Sequence, residues 1–205
     1  MAERGHKIVR ASNSAVYPGV RLDRTLIVTD DYILDTFRTI SDEVHTYDYA
    51  MHLSGALAQP GTGRRVRLGN ARGYKLLTDI KQLAIHAPVT TIPCSVAGGA
   101  WEAALYAPGG TAIFSAHDPV PAKPMFNEYE VRAPLTCLVA RRRARQTVFI
   151  TCWSPSSASQ RCRLTVTAAD PAGIVSLAVG NTKTGTQRWR LPFVPAATLE
   201  CTGSR

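Results

Sequence analysis

The chain has 205 residues, enough for one large β domain with a real core. Hydrophobic residues make up 45% and charged residues 19%, which excludes a disordered polar chain. No apolar run approaches the roughly 20 residues of a transmembrane helix, and the N-terminal MAERGHKIVR places charges where a signal peptide has its apolar core. A formal net charge of +9 favours acidic partners at long range: nucleic acid, anionic lipid or acidic polysaccharide.

In chain order, period-two alternation predicts strands over His6–Ala11, Val20–Val28, Tyr32–Thr39 and Val44–Leu53. Lys75–Ile85 fits a short helix or a strand. Further strands follow at Val89–Val96, Ala100–Tyr106 and Thr111–Phe114, and again at Leu135–Ala140, Thr147–Trp153, Arg163–Ala168, Ile174–Val179 and Gln187–Leu191. Turn residues separate them: Thr29-Asp30-Asp31, Gly98-Gly99, Pro108-Gly109-Gly110 and Asn181–Gly185. Ala58–Arg65 and the Pro-rich His117–Pro124 read as long loops. Many short strands without long helices predict an all-β fold, an antiparallel β-sandwich forming a single unit over residues 1–205.

The chemistry-bearing residues gather in few places. The predicted third strand of the Asp23–Gly55 meander carries His45, Tyr47, Asp48 and His52. Strand alternation puts His45, Tyr47 and Tyr49 on one face and Asp48 and His52 on the other. Asp48 and His52 lie about 13 Å apart by strand rise, too far for one ion, so no metal site is predicted. His6, His86 and His117 stand alone. The five cysteines, Cys94, Cys137, Cys152, Cys162 and Cys201, form no CxxC pair and read as buried, reduced thiols.

Arg141, Arg142, Arg143 and Arg145 form the densest basic run. Placed between two predicted strands, they read as a hairpin tip with guanidinium groups in water, suited to bidentate contact with carboxylate or sulfate groups. The run lacks the interleaved aromatics of a nucleic-acid stacking platform, which ranks nucleic acid below acidic glycan. Arg64, Arg65 and Arg67 form a weaker second cluster. Trp101, Trp153 and Trp189 offer faces for sugar stacking, but the apolar run before Trp153 and the arginines flanking Trp189 point to core positions.

The order of these segments resembles the C-terminal β-sandwich region of the heparinase II/III-like polysaccharide lyases. The matching stretches are Pro18–Gly55, with Asp35, Phe37 and Arg38 in a D-x-F-R pattern and His45, Tyr47 and Asp48 in an H-x-Y-D pattern, and Ala133–Pro155. The resemblance implies an enzyme that cleaves uronic-acid-containing polysaccharide by β-elimination in a cleft between an N-terminal α/α toroid and a β-sandwich. It also implies that the chain is the C-terminal portion of such a lyase, with the toroid absent. The upstream sandwich segment that holds a metal ion through a His/Asp/His set is likewise absent, and no cofactor is assigned to this chain.

Elimination needs a group to neutralise the carboxylate, a base, and an acid for the leaving oxygen. The resemblance implies that most of these come from the toroid. His45 and Tyr47 are then the catalytic candidates, the catalytic set in this chain is incomplete, and Arg141, Arg142, Arg143 and Arg145 are the substrate-binding candidates. The alternative is a self-standing polyanion- or carbohydrate-binding module.

Overall fold

The computed structural model describes residues 5–53, 55–58, 63–70, 72–96, 99–118, 135–157, 160–193 and 200–204. The fold is an all-β antiparallel sandwich of two sheets. Strands β1 (Lys7–Tyr17), β2 (Val20–Val28) and β3 (Ile33–Leu53) form the meander. They are followed by β4 (Gly55–Leu57), β5 (Arg64–Arg65), a 3-10 turn at Arg72–Leu76 and β6 (Thr78–Leu83), so the ambiguous Lys75–Ile85 segment is mainly strand. Next come β7 (Val89–Val96), β8 (Gly99–Tyr106), β9 (Ala112–Asp118) and β10 (Leu135–Pro155). These ten strands make the large sheet, ordered β1-β2-β3-β10-β8-β7-β4, with β9 joining β10 to the β6–β5 pair. The second sheet is β11 (Cys162–Ala169), β12 (Ile174–Asn181), β13 (Gly185–Pro192) and β14 (Glu200–Ser204).

Alternation works here as physics dictates. In β12 the residues Val175, Leu177 and Val179 are buried, and they meet Trp189 and Leu191 of β13. This apolar face packs on Ile27, Leu34, Val148, Ile150 and Cys152 of the large sheet, giving the sandwich core. No helix among the described residues is long and apolar enough to cross a membrane. The Pro-rich part of the predicted loop after His117 lies outside the described residues.

Two predicted breaks are not breaks. Tyr32–Thr39 and Val44–Leu53 are parts of one strand, as are Leu135–Ala140 and Thr147–Trp153. The polar stretches Ser41–Val44 and Arg141–Gln146 look like turns in sequence, yet each lies inside a 21-residue strand. The register shifts between Ala144 and Gln146: Ile40 faces Gln146, His45 faces Ala144, and the residues between are unequal in number on the two strands. Such an irregularity bends the pair.

The bend is sharp. Asp35 and Tyr49 lie fourteen positions apart on β3, which in a straight strand would mean about 46 Å. Instead the Tyr49 hydroxyl donates to Asp35 Oδ2 at 2.5 Å, and the rings of Phe37 and Tyr49 stack 5.8 Å apart. The large sheet therefore rolls over itself and encloses a second core of Tyr47, Tyr49, Met51, Leu105, Ile113, Leu138 and Phe149. A third, smaller cluster around Phe114, Cys137 and Val139 lies under Leu68, Tyr74 and Ile80.

Candidate functional site

The roll leaves an open seam. β2 pairs with β3 only over Ile33–Ser41, so no strand among the described residues lies beside the second half of β3 on that side. Two grooves are lined in part by residues of β3, and Arg24 and Asp35 line one of them.

The first groove, about 570 Å³, is lined by Tyr17, Pro18, Val20, Leu22, Phe37, Thr39, His45, Thr46, Tyr47, Asp48 and Tyr74. Its rim is set by a two-residue hairpin: Tyr17 faces Val20 across Pro18-Gly19, and Gly19 takes φ +71°, a left-handed value that favours glycine. The two catalytic candidates meet here, with the rings of His45 and Tyr47 5.8 Å apart. Both are held by neighbours. His45 Nε2 lies 3.1 Å from Ser41 Oγ, and the Tyr47 hydroxyl donates to the Arg145 carbonyl at 3.1 Å. Burial pushes the Tyr47 phenol up, opposed by the nearby hydroxyls of Thr39 and Ser41. A base for proton abstraction needs the opposite shift. Thr39 is buried with its Oγ1 close to the Tyr47 hydroxyl, and it makes no well-aligned hydrogen bond among the described residues.

Asp48 points to the other face, as alternation predicts. Arg141 holds it bidentately, with Nε and Nη2 each 2.7 Å from a carboxylate oxygen, and the Tyr74 hydroxyl also donates to it. A third guanidinium nitrogen of Arg141 donates to the Leu68 carbonyl at 2.9 Å. His52 is separate: its Nδ1 lies 2.9 Å from Asp118 Oδ2.

The second groove, about 560 Å³, is lined by Arg24, Ile33, Asp35, Ala50, Met51, His52, Leu53, Val96, Trp101 and Trp153. Trp101 pairs with Pro155 and Trp153 with Ala103, so the two indoles are diagonal neighbours on adjacent strands. Both are half-buried, and both pack against the rolled core. Trp189 alone of the three is fully buried, its indole N–H donating to the Tyr32 hydroxyl at 2.7 Å. Arg24 is held by Asp35 through bonds of 3.1 and 2.6 Å, yet its side chain keeps 47% exposure. His52 has the same exposure.

The basic run is not a hairpin tip. It lies within β10, where side chains alternate, so its four arginines do not act as one patch. Arg142 is buried on the inner side, its guanidinium 4.7 Å from the Phe149 ring. It donates to Thr111 Oγ1, Thr147 Oγ1 and the carbonyls of Val148 and Tyr106 at 2.5–3.0 Å. No carboxylate is among these partners, and burial lowers its pKa to about 10. Arg141 is committed to Asp48, and only Arg143 and Arg145 are exposed.

No group of three or more His, Cys, Asp or Glu residues among the described residues is arranged to hold a metal ion. Sequence reasoning missed Tyr17, Arg24, Thr39 and Tyr74 as groove residues. Only Tyr17 carried a signal, the Pro-Gly turn beside it. The chain matches no protein-family model and no curated protein.

Proposed function

We propose that this chain is a β-sandwich region that holds acidic, uronate-containing polysaccharide for a lyase of the heparinase II/III-like kind, with an incomplete catalytic set of its own. The observation that carries the reading is the second groove. Two half-buried indoles offer apolar faces to the C–H surface of a pyranose ring. Arg24 and His52, each about half exposed, stand beside them, and a bound carboxylate would share them with Asp35 and Asp118. Arg143 and Arg145 add exposed positive charge elsewhere on the large sheet.

His45 and Tyr47 fit a supporting role better than a catalytic one. The Tyr47 proton is engaged by a backbone carbonyl, and burial disfavours the phenolate. The complete elimination site would then need groups from a toroid domain, the partner that the sequence resemblance implies.

Salt-dependent binding of the purified chain to polyuronate tests the reading. Trp101→Ala and His52→Ala are each expected to weaken binding about tenfold, the loss of a stacking or charge-assisted contact. Unchanged affinity in both variants would overturn the groove assignment. Incubation with polyuronate is expected to yield no ultraviolet absorbance from unsaturated uronate, and a steady rise would overturn the incomplete catalytic set. A self-standing polyanion module is the second reading, favoured by the exposed Arg143 and Arg145. There the double alanine variant at these positions would abolish binding while Trp101→Ala leaves it intact.

A further inference from the structure

We infer that the open edge of β3 beyond its bend takes up an extended peptide segment of a partner protein as an added strand, one that alternates large apolar with acidic side chains. The inference goes beyond the polysaccharide reading and does not depend on it. Among the described residues, β3 pairs from His45 to Leu53 with β10 alone, and the register runs from Ala144 with His45 to Thr136 with Leu53 without a shift. In a strand with one neighbour, every second residue turns its N–H and C=O to the open side. That row repeats at the spacing of a peptide backbone, so an extended peptide is the ligand that matches it group for group.

A second edge of the same sheet differs. β1 is also an outermost strand, but Asn13 Oδ1 accepts from the amides of Ala15 at 2.7 Å and Val16 at 3.1 Å, and the β1–β2 register slips between Asn13 and Tyr17. Bulges and prolines blunt an edge against pairing. The stretch His45–Leu53 contains neither.

The first groove lies against this open edge. Four consecutive residues, His45, Thr46, Tyr47 and Asp48, line it although their side chains alternate between faces, so the groove meets the strand at its edge rather than on one face. None of its lining residues belongs to β10, the paired side. Towards the rolled core, Val20, Leu22, Phe37 and Tyr47 offer aromatic and aliphatic surface to a large apolar side chain, with the exposed Tyr17 at the rim. On the opposite face Thr46 pairs with the exposed Arg143, so an acidic side chain beside Thr46 has a long guanidinium two strand spacings away, about 10 Å between backbones. His45 can carry a second positive charge at the groove wall, and Asp48 is already held by Arg141. The net charge of +9 draws an acidic segment in from a distance.

Fluorescence anisotropy of the full chain with an end-blocked, labelled nonapeptide of alternating glutamate and phenylalanine tests this, read beside amide hydrogen exchange. Bound peptide should slow exchange in His45–Leu53 and leave β1 unchanged. Two further probes carry N-methyl groups on alternate residues, one in each phase. Only one edge of an added strand pairs with β3, so the two phases should differ in affinity by about tenfold or more. Tyr17→Ala should weaken the parent peptide about tenfold and leave polyuronate binding unchanged, since Tyr17 lines the first groove and not the second. Arg143→Glu should weaken it by a similar factor, and a peptide with lysine in place of glutamate should restore the loss. Both residues are exposed, so both variants should melt with the parent. Equal binding of the two N-methylated phases, or no binding of the parent peptide, overturns the added strand. A dimer in sedimentation whose His45–Leu53 amides are already protected without peptide overturns it as well, and gives the edge to a second copy of this chain.

Discussion

Arg142 and Glu102 show how the chain treats charge inside the sheet. Arg142 is buried among neutral acceptors, so its removal strands the carbonyls of Tyr106 and Val148. Arg142→Ala should cost about 3 kcal/mol in denaturant unfolding, and Arg142→Lys about 2 kcal/mol, because a single ammonium cannot reproduce the planar fork. Glu102 is buried with Arg161 Nε 3.1 Å away, and burial pushes its carboxyl above the ordinary 4.5. A carboxyl raised by folding stabilises the fold below the unfolded-state pKa, and that stability is lost as pH rises from there through the folded value. Glu102→Gln should therefore flatten the fall in melting temperature as pH rises from the ordinary carboxyl range, measured by calorimetry in parallel with the parent. The thiols follow the same logic. Burial raises Cys94, Cys152 and Cys162, and pushes Cys137 up to about 11. In the native chain these four should resist an aromatic disulfide reagent at neutral pH, and unfolding should expose them all.

At the scale of elements, the bend in β3 depends on the cluster of Arg24, Asp35 and Tyr49. Asp35 is buried and accepts from both partners, and its charge is met only while they are in place. Asp35→Ala should cost about 3 kcal/mol, whereas Tyr49→Phe, which keeps the stacked ring, should cost about 1 kcal/mol. A loss as large for Tyr49→Phe as for Asp35→Ala in denaturant titrations would mean that the hydroxyl, rather than the ring, holds the roll. The strands themselves were legible in sequence, because runs such as Val175, Leu177 and Val179 alternate without interruption. Their continuity was not. Ser41–Val44 and Arg141–Gln146 are polar enough to imitate turns, and nothing local distinguishes a bulge in a long strand from a loop between two short ones. The grooves were less legible still, since residues 17, 39, 47 and 74 meet only after the sheet rolls. His45 and Tyr47 could be selected by type and spacing. Arg142 could not be recognised as structural, because its acceptors on Thr111 and Tyr106 lie more than thirty positions away.

For the whole molecule, Arg38 joins the two sheets. It projects from β3 and donates to the carbonyls of Gly173 at 3.0 Å and Leu191, beneath the ring of Phe193. Arg10 reaches the same region, bonding Asp23 on one side and the Phe193 carbonyl at 2.6 Å on the other. Arg38→Ala should loosen the smaller sheet first: amide exchange in β12 and β13 should accelerate while the β3–β10 pairing keeps its protection. Uniform acceleration across both sheets would instead mean that the sandwich opens as one unit.

The long pairing of β3 with β10 also sets the order in which this molecule can assemble. Its partners, from Leu53 with Thr136 to Ile33 with Trp153, lie roughly 80 to 120 residues apart along the chain. During synthesis β3 pairs with β2 over its first half only, and it must wait for β10, roughly 80 residues further on, before its second half gains a neighbour. Loop closure of this length precedes most of the burial that rewards it, so refolding belongs in the millisecond-to-second range, about that of non-local β proteins. Until β10 arrives, the inner face that later forms the walls of both grooves stands open to other nascent chains.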